Sequence, residues 1–397
     1  MSVIVAVMIA ARVCNADKAR LKFGELADLS FNYLMEGDPL ADAVVDAFSG
    51  LPKGEGHKQL ELALAGGIAS VQNAPSALVE LFQSVQDTAS INWKEIEAGQ
   101  KALIRPGINA GIVLIAGALM ADYWSPPFSK PLTLTGTLVE NTAHRLLQTT
   151  AWWLEAHTPG GMRPEGEGFK TTLRVRVIHA HVRHMLGKSG LWKTENWGVP
   201  INQSDLLFQT AGFTYLAIRA LRQMGHRLSR EEQDGIYALW RHVGSVLGIH
   251  AELVKRINAQ DMKQFWDLWF LTNPPPDNDC RALAKASIFA GETNSPWQRF
   301  LYRMIDAPLL SMYARNFLGG RVANKLGVGG RSIRWVLPVV IRPMVRLQEM
   351  FVLRSPASYE RAVKKGLAVN VESLGEKRRL RGKFVSAPTH LKEGGRL

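Results

Sequence analysis

Residues 171–187, TTLRVRVIHAHVRHMLG, concentrate the side chains of this chain that could do chemistry. Three histidines (His179, His181, His184) and three arginines (Arg174, Arg176, Arg183) occur there without an acid. The apolar residues between them predict one helix, and on it Arg176, His179 and Arg183 fall at i, i+3 and i+7, along one face. Val175, Val177, Ile178, Val182, Met185 and Leu186 are too apolar for such a helix to lie free in water. A buried cation without a partner is costly, so the helix requires an anion. The acids nearest in sequence, Glu165 and Glu167, lie in a glycine-rich loop and are too few. A haem b would meet all three needs, since an imidazole can ligate its iron and two guanidiniums can pair with its propionates. The plainer reading is a core histidine flanked by arginines that meet acids from elsewhere in the fold.

The elements that must position this helix read as helices throughout. Leu26–Phe48 is helical and broken at Gly37-Asp38-Pro39, where Asp38 can cap the piece beginning at Pro39. Helical patterns follow at 57–64, 74–85 and 91–105. Gly107–Ala121 is the most apolar window, but it is short of the ~20 residues that span a bilayer, so it reads as a buried core helix. Trp124–Pro131, with three prolines, reads as a turn or loop. Leu132–Glu155 is a second long helical pattern that places Arg145, Gln148 and Thr149 on adjoining turns. Downstream, helices are expected at 203–224, from Ser229 (an N-cap, with Glu232 completing a capping box) to Leu247, and at 259–271, 281–289 and 296–318. No alternating strand pattern, phosphate-binding glycine loop or internal repeat is present. The expected class is all-α: a single large helical domain enclosing a haem b, globin-like in packing.

Composition narrows the function. The chain has 397 residues, 46% hydrophobic and 21% charged, which is ordinary for a globular protein. The net charge of +13 is partly local: the stretch 354–397 holds eleven Lys/Arg against four Glu, and it reads as a solvated, disordered tail rather than a nucleic-acid site. Cys14 and Cys280 form no disulfide framework or metal pair and suit a reducing, cytoplasmic compartment. Residues 1–24 form an apolar N-terminal segment without the basic start of a signal peptide. The haem-binding domain is expected over 25–318, followed by a basic, Pro/Gly-containing amphipathic segment over 319–353. In that segment Arg331, Arg334, Arg342 and Arg346 recur close to one helical face, which predicts peripheral membrane contact through 331–346. The competing reading is a pair of helices kinked at Pro338 and Pro343, its arginines paired with acids.

The block Arg176-Val177-Ile178-His179, followed by Arg183-His184, resembles the haem-ligand helix of the rubber oxygenases (latex clearing proteins), whose superfamily includes the membrane-bound oxygenase MpaB. Arg145 and Thr149 lie at the matching separation upstream. Residues 199–206 (VPINQSDL), 238–249 (ALWRHVGSVLGI) and 37–45 (GDPLADAVV) resemble further blocks of that family, so the likeness covers roughly residues 30 to 290 in order. It implies a haem-dependent oxygenase, with His179 as proximal iron ligand, Arg176 and Arg183 holding propionates, and Arg145, Gln148 and Thr149 on the oxygen-binding side. It implies dioxygen and an apolar small molecule, isoprenoid or lipid-like, as substrates. The family's distal Lys corresponds to Gln148, and the place of its proposed catalytic Glu falls near Ser129, which implies a substrate other than rubber. The alternatives are a haem-binding or sensing protein without turnover, a non-haem metal site using His179, His181 and His184, and a helical membrane-associated protein without cofactor. The other histidines, His144, His157, His242 and His250, read as structural.

Overall fold

The computed structural model describes residues 9–87, 89–135, 142–292 and 295–381. Among them every regular element is helical. The chain is built around the helix Glu167–Lys188, which is long because nothing in residues 167–188 breaks it. Its apolar positions Leu173, Val177, Ala180 and Leu186 are buried, as are Arg176 and Arg183. It packs against the helices Pro39–Ser49, Thr142–His157 and Arg230–Leu247.

The local signals work as read. Asp38 caps the helix Pro39–Ser49 by accepting from the Ala41 amide, with Pro39 inside the first turn. Ser229 and Glu232 form both halves of a capping box. The helix Arg230–Leu247 then crosses Trp93–Ile104 at glycine-to-glycine contact. A Cβ on Gly99 would lie 2.2 Å from the Gly235 carbonyl carbon, so both glycines are needed for the backbones to approach. The apolar window is a buried helix over Ile108–Asp122, widened into a π turn at Leu114–Leu119. No single helix among the described residues is long and apolar enough to cross a membrane.

Three expectations change. The proline-rich stretch is a helix, Pro126–Leu134, because Pro126 and Pro127 fill its first turn, where no amide hydrogen is required. The long pattern from Leu132 divides into that helix and Thr142–His157; positions 136–141 lie outside the described residues. The tail is ordered in its first part, as a helix over Pro356–Arg381. Val363 is buried, Tyr359 donates to Glu232 at 2.9 Å, and Lys101 bonds Glu360 at 3.1 Å. A Cβ on Gly366 would meet the Ile104 carbonyl oxygen at 2.2 Å, so this helix is seated closely on the domain. The N-terminal segment is also tied in: the guanidinium of Arg12 donates to both carboxylate oxygens of Asp205, at 2.8 and 2.6 Å. Residues 382–397 and 1–8 lie outside the described residues.

Candidate functional site

One face of Thr142–His157 supplies Thr142, Arg145, Leu146 and Thr149, spaced at i, i+3, i+4 and i+7, to a cavity. The end of Ile108–Asp122 contributes Leu119 and Asp122, with Tyr123 next to it. Pro127, Phe128, Pro131 and Leu132 of the proline helix form an apolar wall. Ile201, Asp205, Leu206 and Gln209 form another, and His179 enters from Glu167–Lys188. The cavity has a volume of about 140 Å³ and opens to solvent at its mouth. Its lining is nine apolar or aromatic and seven polar or charged residues.

Two of those polar groups lack protein partners. The Nδ1 of His179 is buried and has no hydrogen-bond partner among the described residues. Burial, reinforced by nearby Arg183, lowers its pKa to about 4 against the pull of Asp38, so the ring is neutral at ordinary pH. A neutral imidazole is the form that binds a metal. The Nη1 of Arg145 is likewise buried without a partner. Burial lowers the Arg145 pKa while Tyr123 and Asp122 raise it, and no carboxylate pairs with it among the described residues.

Asp122 is the acid facing this cation across the cavity wall. Burial raises its carboxyl well above the ordinary carboxylate value, although Gln209 Nε2, at 3.3 Å, donates to it. The Asp205 charge adds to the rise and Arg145 opposes it. Asp205 is a structural acid by contrast, since Arg12, the side-chain amide of Asn202 at 2.9 Å and the indole of Trp269 at 3.4 Å all donate to it. Tyr123 accepts from Ser287 at 2.9 Å, and burial raises its phenol pKa.

The other expected site residues are placed differently. Arg176 is bidentate to Asp38, at 2.6 and 2.9 Å, and Arg183 pairs with Asp42 at 2.7 Å. Neither lines the cavity. The anions that meet Arg176 and Arg183 are therefore Asp38, the N-cap of Pro39–Ser49, and Asp42 in its first turn, where the sequence pointed to propionates. Gly248 makes room for the first pair: a Cβ there would lie 2.2 Å from Asp38 Oδ2 and 2.5 Å from Arg176 Nε, and its φ of +87° suits glycine. These ion pairs fix the helix on either side of His179. Gln148 sits beside the cavity-facing row and is not on the wall, while Arg145 and Thr149 are. Ser129 is buried, with the Cys280 thiol 3.7 Å away, and also lies off the wall.

The three histidines of the helix point apart. His184 pairs with Asp46 at 3.0 Å, and His181 is half-buried away from the cavity. No group of three or more His, Cys, Asp or Glu among the described residues is arranged to hold a metal ion, so the three-histidine alternative has no geometry behind it. His157 lies against Trp153 and Trp240 with Nδ1 on the Trp153 carbonyl. His242 bonds the Met162 carbonyl at 2.9 Å and His250 bonds Tyr33 at 2.6 Å, all structural contacts. Asp122, Tyr123 and Gln209 were not singled out from sequence. The available signal was a lone acid at the end of the most apolar run, where an unpaired carboxyl is costly.

A family model described as the catalytic domain of ER-bound oxygenase mpaB/B'/rubber oxygenase matches residues 105–348. The chain belongs to this family. The matched range holds the cavity-lining residues from Leu119 to Gln209 and the whole basic helix. The rubber oxygenase of Streptomyces sp. (strain K30) is 25% identical over 178 residues, which are 43% of this chain and 40% of that protein. The alignment thus spans less than half of that relative's length. The structure of latex clearing protein LCP in the closed state superposes with a TM-score of 0.64 at 18% identity, covering 84% of this chain and 91% of that one. That likeness establishes the shared helical fold.

Proposed function

We propose that this chain is a haem b-dependent oxygenase that takes dioxygen and an apolar, isoprenoid- or lipid-like molecule into the cavity described above. The observation that carries the reading is one cavity whose wall holds a neutral His179 and an Arg145 with an unpartnered guanidinium nitrogen. A haem supplies an iron for the first and carboxylates for the second. The residues present therefore fit the group, although the fit uses Arg145 where the sequence pointed to Arg176 and Arg183. When bound, the haem would supply the dioxygen chemistry.

The chain's own residues would do the rest. His179 would hold the iron, and the Arg176–Asp38 and Arg183–Asp42 pairs on either side would keep its helix in place. Leu119, Phe128, Pro131, Leu132 and Leu206 form the apolar walls that exclude water and receive a substrate without polar handles. Arg145 would hold a haem carboxylate, and Thr149 adds a hydroxyl one turn away. Burial favours the protonated form of the Asp122 carboxyl, which would place a proton donor at the cavity wall.

Two measurements test this. Purified protein reconstituted with haem should show a Soret band and a pyridine haemochrome of the b type. The loaded protein should consume dioxygen with an apolar alkene. A haem-loaded protein that consumes none with any apolar alkene would leave a binding or sensing role in place of turnover.

A further inference from the structure

A surface helix of a soluble domain turns its apolar side inward and its charged side to water. The helix over Leu337–Val352, a π turn at Leu337–Ile341 that continues into Arg342–Val352, is turned the other way. Its inward side carries Val345 and a buried acid, Glu349. Arg105 Nη1 donates to Glu349 at 2.5 Å, His226 Nδ1 lies at 3.0 Å and the Arg227 amide donates at 3.0 Å. The Arg342 carbonyl and Val345 press against Gly225, where a Cβ would lie 2.5 Å from that carbonyl oxygen. The helix is therefore locked in this orientation and cannot roll its apolar side inward.

Its outward side is Val340, Met344, Leu347 and Phe351, spaced at i, i+4, i+7 and i+11 and exposed by 40, 66, 57 and 62%. Trp335, Val339, Met350 and Leu353 are exposed around them. The prolines do not split it: Pro338 falls in the first turn, and the π turn at Leu337–Ile341 runs on through Pro343 without a break. Arg331, Arg334, Arg346 and Arg354 are exposed beside this face, and none of them forms an ion pair among the described residues. No acid occurs between Arg321 and Gln348.

A second exposed apolar row, Trp297, Phe300, Met304 and Ile305, lacks that surplus, since Arg303 is paired with Glu292 at 2.6 Å and exposed Asp306 lies beside it. We infer that the helix Leu337–Val352 is a docking surface for an anionic phospholipid bilayer. Its apolar row enters the interface and the flanking arginines meet lipid phosphates. Exposed aliphatic and aromatic side chains with unpaired arginines and no acid are what such a surface binds. The inference stands independently of the haem.

The test is flotation of the full chain with vesicles of phosphatidylcholine alone and of phosphatidylcholine mixed with phosphatidylglycerol, at low and high salt. Binding to the mixed vesicles at low salt, weak on the neutral ones and weakened by salt, is expected. Arg334→Gln with Arg346→Gln should weaken it roughly 30-fold, at about a fivefold loss per basic residue near the surface. Leu347→Glu with Phe351→Glu should abolish it while the helical circular dichroism is unchanged, because both side chains are exposed. Equal binding by either variant, or no binding to the mixed vesicles, would overturn the inference. So would a dimer in light scattering that the Leu347→Glu/Phe351→Glu variant dissolves in a protein that does not float, since the face would then belong to a second copy.

Discussion

In the proposed site His179, Arg145 and Asp122 would carry the chemistry, and each invites a different substitution. Asp122→Asn keeps the shape and removes the proton. It should leave haem content intact and lower turnover by about a hundredfold or more, the usual range for a positioned acid. Because the Asp122 pKa is raised, wild-type activity that uses its protonated form should fall as pH rises through that pKa, and the Asn variant should lose this limb. An Asn variant with wild-type turnover would reduce Asp122 to a wall residue. Arg145→Ala should alter the spectra of ligand-bound protein and turnover; unchanged spectra and turnover would return it to the core. His157 offers a separate pH test. Burial lowers its pKa to about 4 from the ordinary 6.5, so the unfolded chain binds the extra proton between those values. Its contribution to stability is complete above about pH 6.5 and is lost as pH falls toward about 4. Thermal midpoints across that window should drop less steeply for His157→Gln than for the wild type, and identical slopes would contradict the assignment. His179 was legible in sequence because a helical face brings its neighbours together. Asp122 was not, because its significance depends on a cavity assembled from five separate elements.

At the scale of elements, the outer ends of helices were legible and their partners were not. Asp38 and Ser229 announce their caps within four residues, and both caps form. The acids for Arg176 and Arg183 lie 138 and 141 positions away, so no local pattern could assign them. A basic helix face therefore looked open that is in fact closed by Asp38 and Asp42. The same limit applies to 356–381, where charge suggested solvent while Tyr359, Val363 and Gly366 pack on the domain. Pro126–Leu134 was misread for a different reason, since Pro126 and Pro127 start the helix in its first turn and it runs on past Pro131 in its interior. The Arg176–Asp38 pair is buried, so removing one partner leaves an uncompensated charge. Asp38→Ala should lower unfolding stability by about 3–5 kcal/mol, while Asp38→Ala with Arg176→Met should cost less than the sum of the single changes. Strict additivity in denaturant titrations would show that the pair does not couple.

The described residues form one helical assembly in which both ends of the chain's described part support the cavity. Arg12 at one end braces Asp205 in the cavity wall. The helix Pro356–Arg381 at the other end packs on Trp93–Ile104 and Thr142–His157, the latter carrying Arg145. Truncation at residue 354 should therefore loosen the site as well as the surface, seen as weaker haem retention; full retention would show that this last helix is dispensable to it. The central claim is that the cavity binds haem through His179. It is tested most directly by titrating haem into the apo forms of the wild type, His179→Ala, His181→Ala and His184→Ala and following the Soret band. The wild type and the His181 and His184 variants should bind one haem per chain, and His179→Ala should lose the ligated spectrum and retain little haem through gel filtration. Full loading of His179→Ala, with a spectrum like that of the wild type, would contradict the account.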